Sequence, residues 1–363
     1  MSASSVRGAP VARVPAARSR WRSSSASRVA RRGFAAPRAA ASSDDADVVI
    51  IGSGVGGLTA AALLAHYGKK VIVLESHYAT GGAAHGFQRE TDVGEFRFDT
   101  GPSFFAGLTT INALNPLAAL LELLGEPLET VKYDPLGTFH VEKGKPGLRR
   151  HADLSALVDE VRRFSPEGAE QLKEAVPRIR EMYGALSGLP TPALRADWKV
   201  GLMIVSRYMK SMSKLGPYAP VLPNPTVGLL DFLKIEDPWM RRLADLECYL
   251  LSGVDASGTV AAEFAAVFGA SDDLKQSEFP RGGAEAITDA LARAVTKNGG
   301  EIRLKAHVEQ VVLEGGAAVG ARLKGGETVR APVVVSTSMS PCRLLVKETV
   351  SLSKESSRSK ILP

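Results

Sequence analysis

Cysteine is nearly absent from this chain: Cys248 and Cys342 are the only two among 363 residues. Two thiols so far apart form neither a zinc-type spacing nor a C-x-x-C pair, which gives no support to dithiol redox chemistry. No apolar run approaches the roughly 20 residues of a membrane-spanning helix, and no apolar core of a secretory signal stands near the start. Acids are missing from the first 43 residues, which carry nine of the arginines. The formal charge of +6 comes from that segment alone, because residues 44–363 hold 36 basic and 39 acidic side chains. Net charge therefore gives no support to a nucleic-acid partner. An Arg-rich, Ser-rich, acid-free leader predicts an organelle transit peptide over 1–43, outside the fold. No Ser/His/Asp nucleophile set and no metal-ligand cluster stands out. No catalytic side chain and no metal is assigned, a pattern that suits an enzyme whose cofactor does the chemistry.

What is present is concentrated in residues 47–75, DVVIIGSGVGGLTAAALLAHYGKKVIVLE. Val48, Val49, Ile50 and Ile51 form a β-branched apolar run of the kind buried on both faces of a parallel sheet. Gly52, Gly54 and Gly57 follow at G-x-G-x-x-G spacing, interleaved with Ser53 and Gly56. Gly52 suits a tight turn, Gly54 a close approach of backbone to a pyrophosphate, and Gly57 close packing of helix on strand. Residues 58–67 read as a helix stopped by Gly68, and 71–74 as a second buried strand ending at Glu75. Helix-start amides and the helix dipole hold a pyrophosphate. An acid about 20 residues past the glycines accepts hydrogen bonds from ribose hydroxyls and repels a 2′-phosphate. Strand, turn, helix, strand and acid together predict a Rossmann-like α/β dinucleotide-binding domain.

Ser76 opens a loop to a second glycine pair, Gly81 and Gly82, followed by Ala83, so any ligand contact there is by backbone. His77 and His85 of the same loop read as surface histidines or as side chains that touch the ligand, surface histidines being the commoner case. Residues 96–102, FRFDTGP, alternate as a strand and close in a D-x-G turn. There Asp99 caps its own turn, stands beside a cofactor, or does both, with Gly101 at the bend. Residues 111–125 predict a helix with a broad leucine face, and 133–140 and 148–151 short strands. Residues 153–187 predict helix interrupted near Pro166 and Pro177, with Ser165 as a helix start. Prolines crowd 188–226. Between them the basic amphipathic stretch 198–212, WKVGLMIVSRYMKSM, covers the core as an ordinary helix, or suits a membrane interface or an apolar channel. At Pro280, Arg281, Gly282 and Gly283 the chain turns back. A helix over 284–298, a buried strand over 302–304, and an antiparallel meander with glycine turns follow, then a parallel-type strand at Val333, Val334 and Val335.

These residues make a family resemblance visible. DADVVIIGSGVGGLTAAALLAHYGKKVIVLE, ATGGAAHGFQRE, FRFDTGPS and FPRGGAEAITDALARAVTKNGGEIRLKAHVEQVV resemble the carotenoid isomerase and phytoene desaturase branch of the amine-oxidase-like flavoproteins, over roughly residues 46–338. The resemblance implies FAD rather than NAD, with the Val308 backbone on the adenine side and the turns at Asp99, Gly101 and Gly282 near the flavin. It implies a mainly helical, substrate- and membrane-facing segment (111–275) inserted between two parts of the FAD-binding domain (44–110 and 276–340). It further implies a lipophilic polyene substrate, cis-to-trans isomerisation or else desaturation or saturation of that polyene, and peripheral association with a plastid membrane. Members of the branch continue past Ser338 into a G-D motif that touches the flavin. The Ser/Lys-rich stretch 341–363 has no such motif, so the expectation is a truncated chain with weakened flavin binding, or a non-catalytic nucleotide-binding remnant.

Overall fold

The computed structural model describes residues 45–102, 105–110, 115–189, 202–203, 206–272 and 277–337. In chain order the first elements are β1 (Val48–Ile51), α1 (Val55–His66), β2 (Val71–Leu74), β3 (Gly86–Thr91), β4 (Gly94–Asp99), α2 (Leu117–Leu124), β5 (Thr130–Lys132), β6 (Gly137–Phe139) and β7 (Leu148–Arg150). Helices α3 (Leu154–Val161), α4 (Pro166–Leu186), α5 (Met209–Leu215), α6 (Thr226–Phe232), α7 (Pro238–Ser252) and α8 (Ala261–Ser271) follow. The last are β8 (Glu278–Pro280), α9 (Glu285–Lys297), β9 (Glu301–Arg303), β10 (Val308–Glu314), β11 (Ala317–Leu323), β12 (Thr328–Arg330) and β13 (Val333–Ser336).

The predicted parallel sheet is present, in the order β13-β1-β2-β9. Its two central strands are buried at every position, and the two-residue period of a strand divides them between two cores. Val48, Ile50, Val71 and Val73 face α1, α2 and α9, meeting Leu58, Leu121 and Leu291. Val49, Ile51, Ile72 and Leu74 face the other way, onto Val308, Ala321 and Val329 of the antiparallel meander β10-β11-β12. The sequence predicts this α/β domain with a parallel sheet and a β-meander; the structure places helices on one face of the sheet and the meander on the other. A sheet covered on both faces explains why β1 and β2 are continuously apolar rather than alternating.

A third apolar core lies among α3, α4, α6, α7 and α8, with Leu148 of β7. Ser165 caps α4 by accepting from the Gly168 amide at 3.0 Å, with Pro166 at the first helical position. Pro177 does not interrupt this helix. It sits inside an unbroken α4. The missing N–H sacrifices one backbone bond, but Val176, Ile179 and Met182 around it are buried in this core. Packing here outweighs the local break. Two further strand pairings were not expected. β5 pairs with β8 across some 150 residues of chain, where the sequence pattern points to a strand starting at Tyr133. β3 pairs with β4 as an antiparallel hairpin. Of the amphipathic stretch 198–212, residues 198–201 and 204–205 lie outside the described residues. Its described part leaves Leu202, Met209 and Met212 exposed. Residues 1–44 and 338–363 also lie outside the described residues, and with them the leader and the tail.

Candidate dinucleotide site

The glycine turn after β1 is built as the spacing predicts. Gly52 has φ +98°, a conformation that suits glycine. Gly57 lies in the first turn of α1, where a Cβ would stand 2.1 Å from the Gly52 carbonyl oxygen. That glycine lets helix and turn touch. Gly54 is different. Its backbone is ordinary, at φ −66° and ψ 175°, and a Cβ there would meet no protein atom within 4 Å. The fold itself does not need glycine at this position, so the bare wall suits a group approaching from outside the chain. α1 begins directly after Gly54 with no side-chain cap and no acid in its first turn. Its leading amides lack intrahelical partners by geometry and open toward that wall.

The second glycine pair joins the first. The Gly81 amide donates to the Ser53 carbonyl at 2.9 Å, Gly54 and Gly81 form a parallel bridge, and Gly81 and Gly82 have φ of +114° and +58°. A Cβ on Gly82 would stand 3.0 Å from Gly54 Cα. His85 holds this turn, with its Nδ1 2.7 Å from the Gly82 carbonyl. Gly101 supports the same turn from behind, because a Cβ there would lie 2.2 Å from the Ala83 carbonyl oxygen.

Glu75 stands at the end of β2, only 8 % exposed. One carboxylate oxygen accepts from the Ser53 amide at 2.8 Å and the Ser53 hydroxyl at 2.7 Å. The other accepts from the His77 amide at 2.8 Å and lies 3.4 Å from the Ser76 hydroxyl. Burial alone would push this carboxyl up, but hydrogen bonds from the Ser53 hydroxyl and the His77 and Ser53 amides outweigh it and hold it below its usual range. The acid is therefore ionised at neutral pH and clamps the glycine turn to β2.

Together these elements line a cavity of about 1020 Å³. Of the sequence-predicted residues, Gly52, Gly54, Gly56, Glu75, Ser76, Gly81, Gly82, Ala83 and Val308 line it. Ser53 and Gly57 are buried just behind its wall. Asp99, Gly101 and Gly282 are not in the wall. Asp99 does not cap its own turn. Its Oδ1 accepts from the Ala284 amide at 2.8 Å, at the start of α9, and sits where a Cβ on Gly283 would be. Gly282 and Gly283, at φ +93° and +79°, bring that helix start to the carboxylate. Asp99→Ala is expected to lower stability by about 1–2 kcal/mol, the usual cost of a lost helix cap. Asp99→Asn keeps an acceptor oxygen and should recover most of it, as thermal melts of the two variants will read out. Sequence reasoning missed Gln310, Arg322 and Thr337 in the cavity wall. Their only signal was position in the meander and at the end of β13, which acquires meaning once the strands are paired.

Residues 55–355 match the family model described as flavin containing amine oxidoreductase. Prolycopene isomerase 1, chloroplastic, from an Oncidium hybrid cultivar is 27 % identical over 295 residues, covering 81 % of this chain and 48 % of that protein. All-trans-retinol 13,14-reductase of Danio rerio is 28 % identical over 328 residues, covering 85 % of this chain and 49 % of that one. The chain thus spans about half the length of the curated relatives it matches. Among solved structures, a Pyrococcus furiosus protein superposes with a TM-score of 0.54 at 21 % identity, covering 82 % of this chain and 61 % of that one. A putrescine oxidase redesigned in its cofactor binding gives 0.51 at 19 % identity, covering 80 % and 57 %. These two share the fold.

Proposed function

Because the chain belongs to the flavin-containing amine oxidoreductase family and its cofactor is FAD, we propose that it is an FAD-dependent enzyme of carotenoid metabolism that rearranges a polyene from cis to trans. The observation that carries the cofactor half is the cavity in which two glycine turns and Glu75 converge. The first-turn amides of α1, with the backbone of Gly81, Gly82 and Ala83, hold the diphosphate. Glu75 accepts from the ribose hydroxyls, and the backbone at Val308 meets the adenine. The Asp99 turn and the Gly282–Gly283 turn, which meet where Asp99 accepts from the Ala284 amide, stand on the flavin side. When bound in its reduced form, the flavin would supply the electron density, or the polyene would be reversibly protonated, to loosen a double bond.

The substrate half rests on relatives named as prolycopene isomerases, which match four-fifths of this chain. Domain organisation follows the same reading, with an FAD-binding body at 44–110 and 276–340 and a mainly helical substrate body at 111–275. It is supported by the separate apolar core of α3, α4, α6, α7 and α8. A plastid location agrees with the chloroplastic names of those relatives. No helix among the described residues is long and apolar enough to cross a membrane. Peripheral contact through the exposed Leu202, Met209 and Met212 beside Lys210 suits a substrate insoluble in water.

A second reading has its own observation: retinol reductase and phytoene desaturase relatives match at nearly the same identity. Those reactions move hydride equivalents to or from the polyene. Poly-cis lycopene incubated with the protein and reduced FAD separates the readings. An all-trans product of unchanged mass supports isomerisation, and a product lighter or heavier by two hydrogens supports desaturation or saturation. Absence of a flavin spectrum after FAD addition would mark a non-catalytic remnant.

A further inference from the structure

Arg322 is the one lysine or arginine among the described residues lining the cavity. We propose that Arg322, anchored by Gln310, stacks its guanidinium on the adenine ring of the bound dinucleotide and so selects FAD over flavins that lack an adenylate. The proposal rests on the FAD reading above.

Its position follows from backbone connections. The Ala306 amide donates to the Glu75 carbonyl at 2.7 Å, which ties the entry of β10 to the end of β2. Val308 and Gln310 are both buried, Glu309 between them is exposed, and the register shifts between the two. Gln310 is the cross-strand partner of Arg322, and the Arg322 guanidinium donates to the Gln310 side-chain oxygen. One edge of the guanidinium is fixed while the side chain stays exposed.

The choice of anchor separates Arg322 from the other arginines around this meander. Arg303 pairs with Glu301 and Glu327, and Arg330 with Glu314. Those are ordinary surface ion pairs worth little. Arg322 is held by a neutral amide, so its charge is not cancelled by the group that orients it. A planar cation fixed by one edge, in the same cavity wall as Val308, matches the face of a purine. The alternative target, the diphosphate, lies past Glu75 at the glycine end.

The test measures FAD, FMN and ADP binding to the wild-type chain and to Arg322→Ala and Arg322→Lys, by fluorescence titration and calorimetry. Arg322 is exposed, so circular dichroism should give unchanged folds. Arg322→Ala is expected to weaken FAD and ADP by about tenfold and to leave FMN unchanged. Arg322→Lys should lose nearly as much, because an ammonium has no planar face. Equal FAD affinity in wild type and Arg322→Ala overturns the proposal. Full affinity in Arg322→Lys also overturns it, in favour of simple charge attraction. A wild-type chain that binds neither FAD nor ADP overturns the cofactor reading itself, a distinct result.

Discussion

Gly57→Ala is expected to disable nucleotide binding and to destabilise the sheet domain, although it adds one methyl group. That methyl would stand 2.1 Å from the Gly52 carbonyl oxygen and 3.0 Å from Thr337 Oγ1. The first contact is with backbone, which has no rotamer to escape into. α1 must withdraw from the turn, and α1 carries Leu58, Ala61, Ala62 and Ala65 into the core against β1 and β2. Overpacking of this kind costs about 1–3 kcal/mol, and a forced helix shift lies at the upper end. The same withdrawal displaces the amides that face the cavity. Gly56→Ala is the internal control. Its Cβ meets nothing within 4 Å, and its helical position gains from alanine by roughly 0.5–1 kcal/mol. Melting of the FAD-free protein should therefore move down for Gly57→Ala and up for Gly56→Ala. FAD titration should show lost binding in the first. Equal melting temperatures for the two would refute the packing role given to Gly57.

The contrast shows what kind of information a sequence carries. Local chemistry was legible: the β-branched runs of β1 and β2, the positive φ at Gly52, the Ser165 cap and the glycine-turned meander all follow from short stretches. Positions set by distant partners were not legible. Asp99 reads as the cap of its own turn, as a neighbour of the cofactor, or as both, and neither reading points to Ala284, 185 residues away, which it reaches. Strand β5 has no pattern of its own and exists because β8 comes back beside it. Pro177 reads as a break because the sequence does not display the core that holds α4 together on both sides of it. In the cavity wall, the backbone turns at Gly52, Gly54, Gly81 and Gly82 are legible through glycine. Arg322 and Gln310 contribute side chains from a cross-strand pair, and pairing register is not written in either strand alone.

Replacement of Glu75 should have two effects that pH separates. Glu75→Ala leaves the Ser53 amide and hydroxyl without their acceptor, and Ser53 is fully buried. An orphaned buried donor costs about 1–3 kcal/mol, so the turn and the end of β2 should loosen together. Glu75→Gln keeps the shape, but both oxygens of Glu75 serve as acceptors. An amide must therefore turn its NH₂ toward a donor, and the isosteric change destabilises too. FAD affinity should fall roughly tenfold to a hundredfold in either variant, the range for a hydrogen bond to a charged group. The pH dependence fixes the cause. The folded carboxyl titrates below its ordinary value of 4.5, so the unfolded chain binds the proton first as pH falls. Stabilisation by the ionised acid is complete above that unfolded value and disappears as pH drops through the lower folded one. The gap in melting temperature between wild type and Glu75→Gln should thus be constant near neutrality and close under acid conditions. A gap that persists unchanged in acid would mean that shape, not charge, ties Ser53 to Glu75.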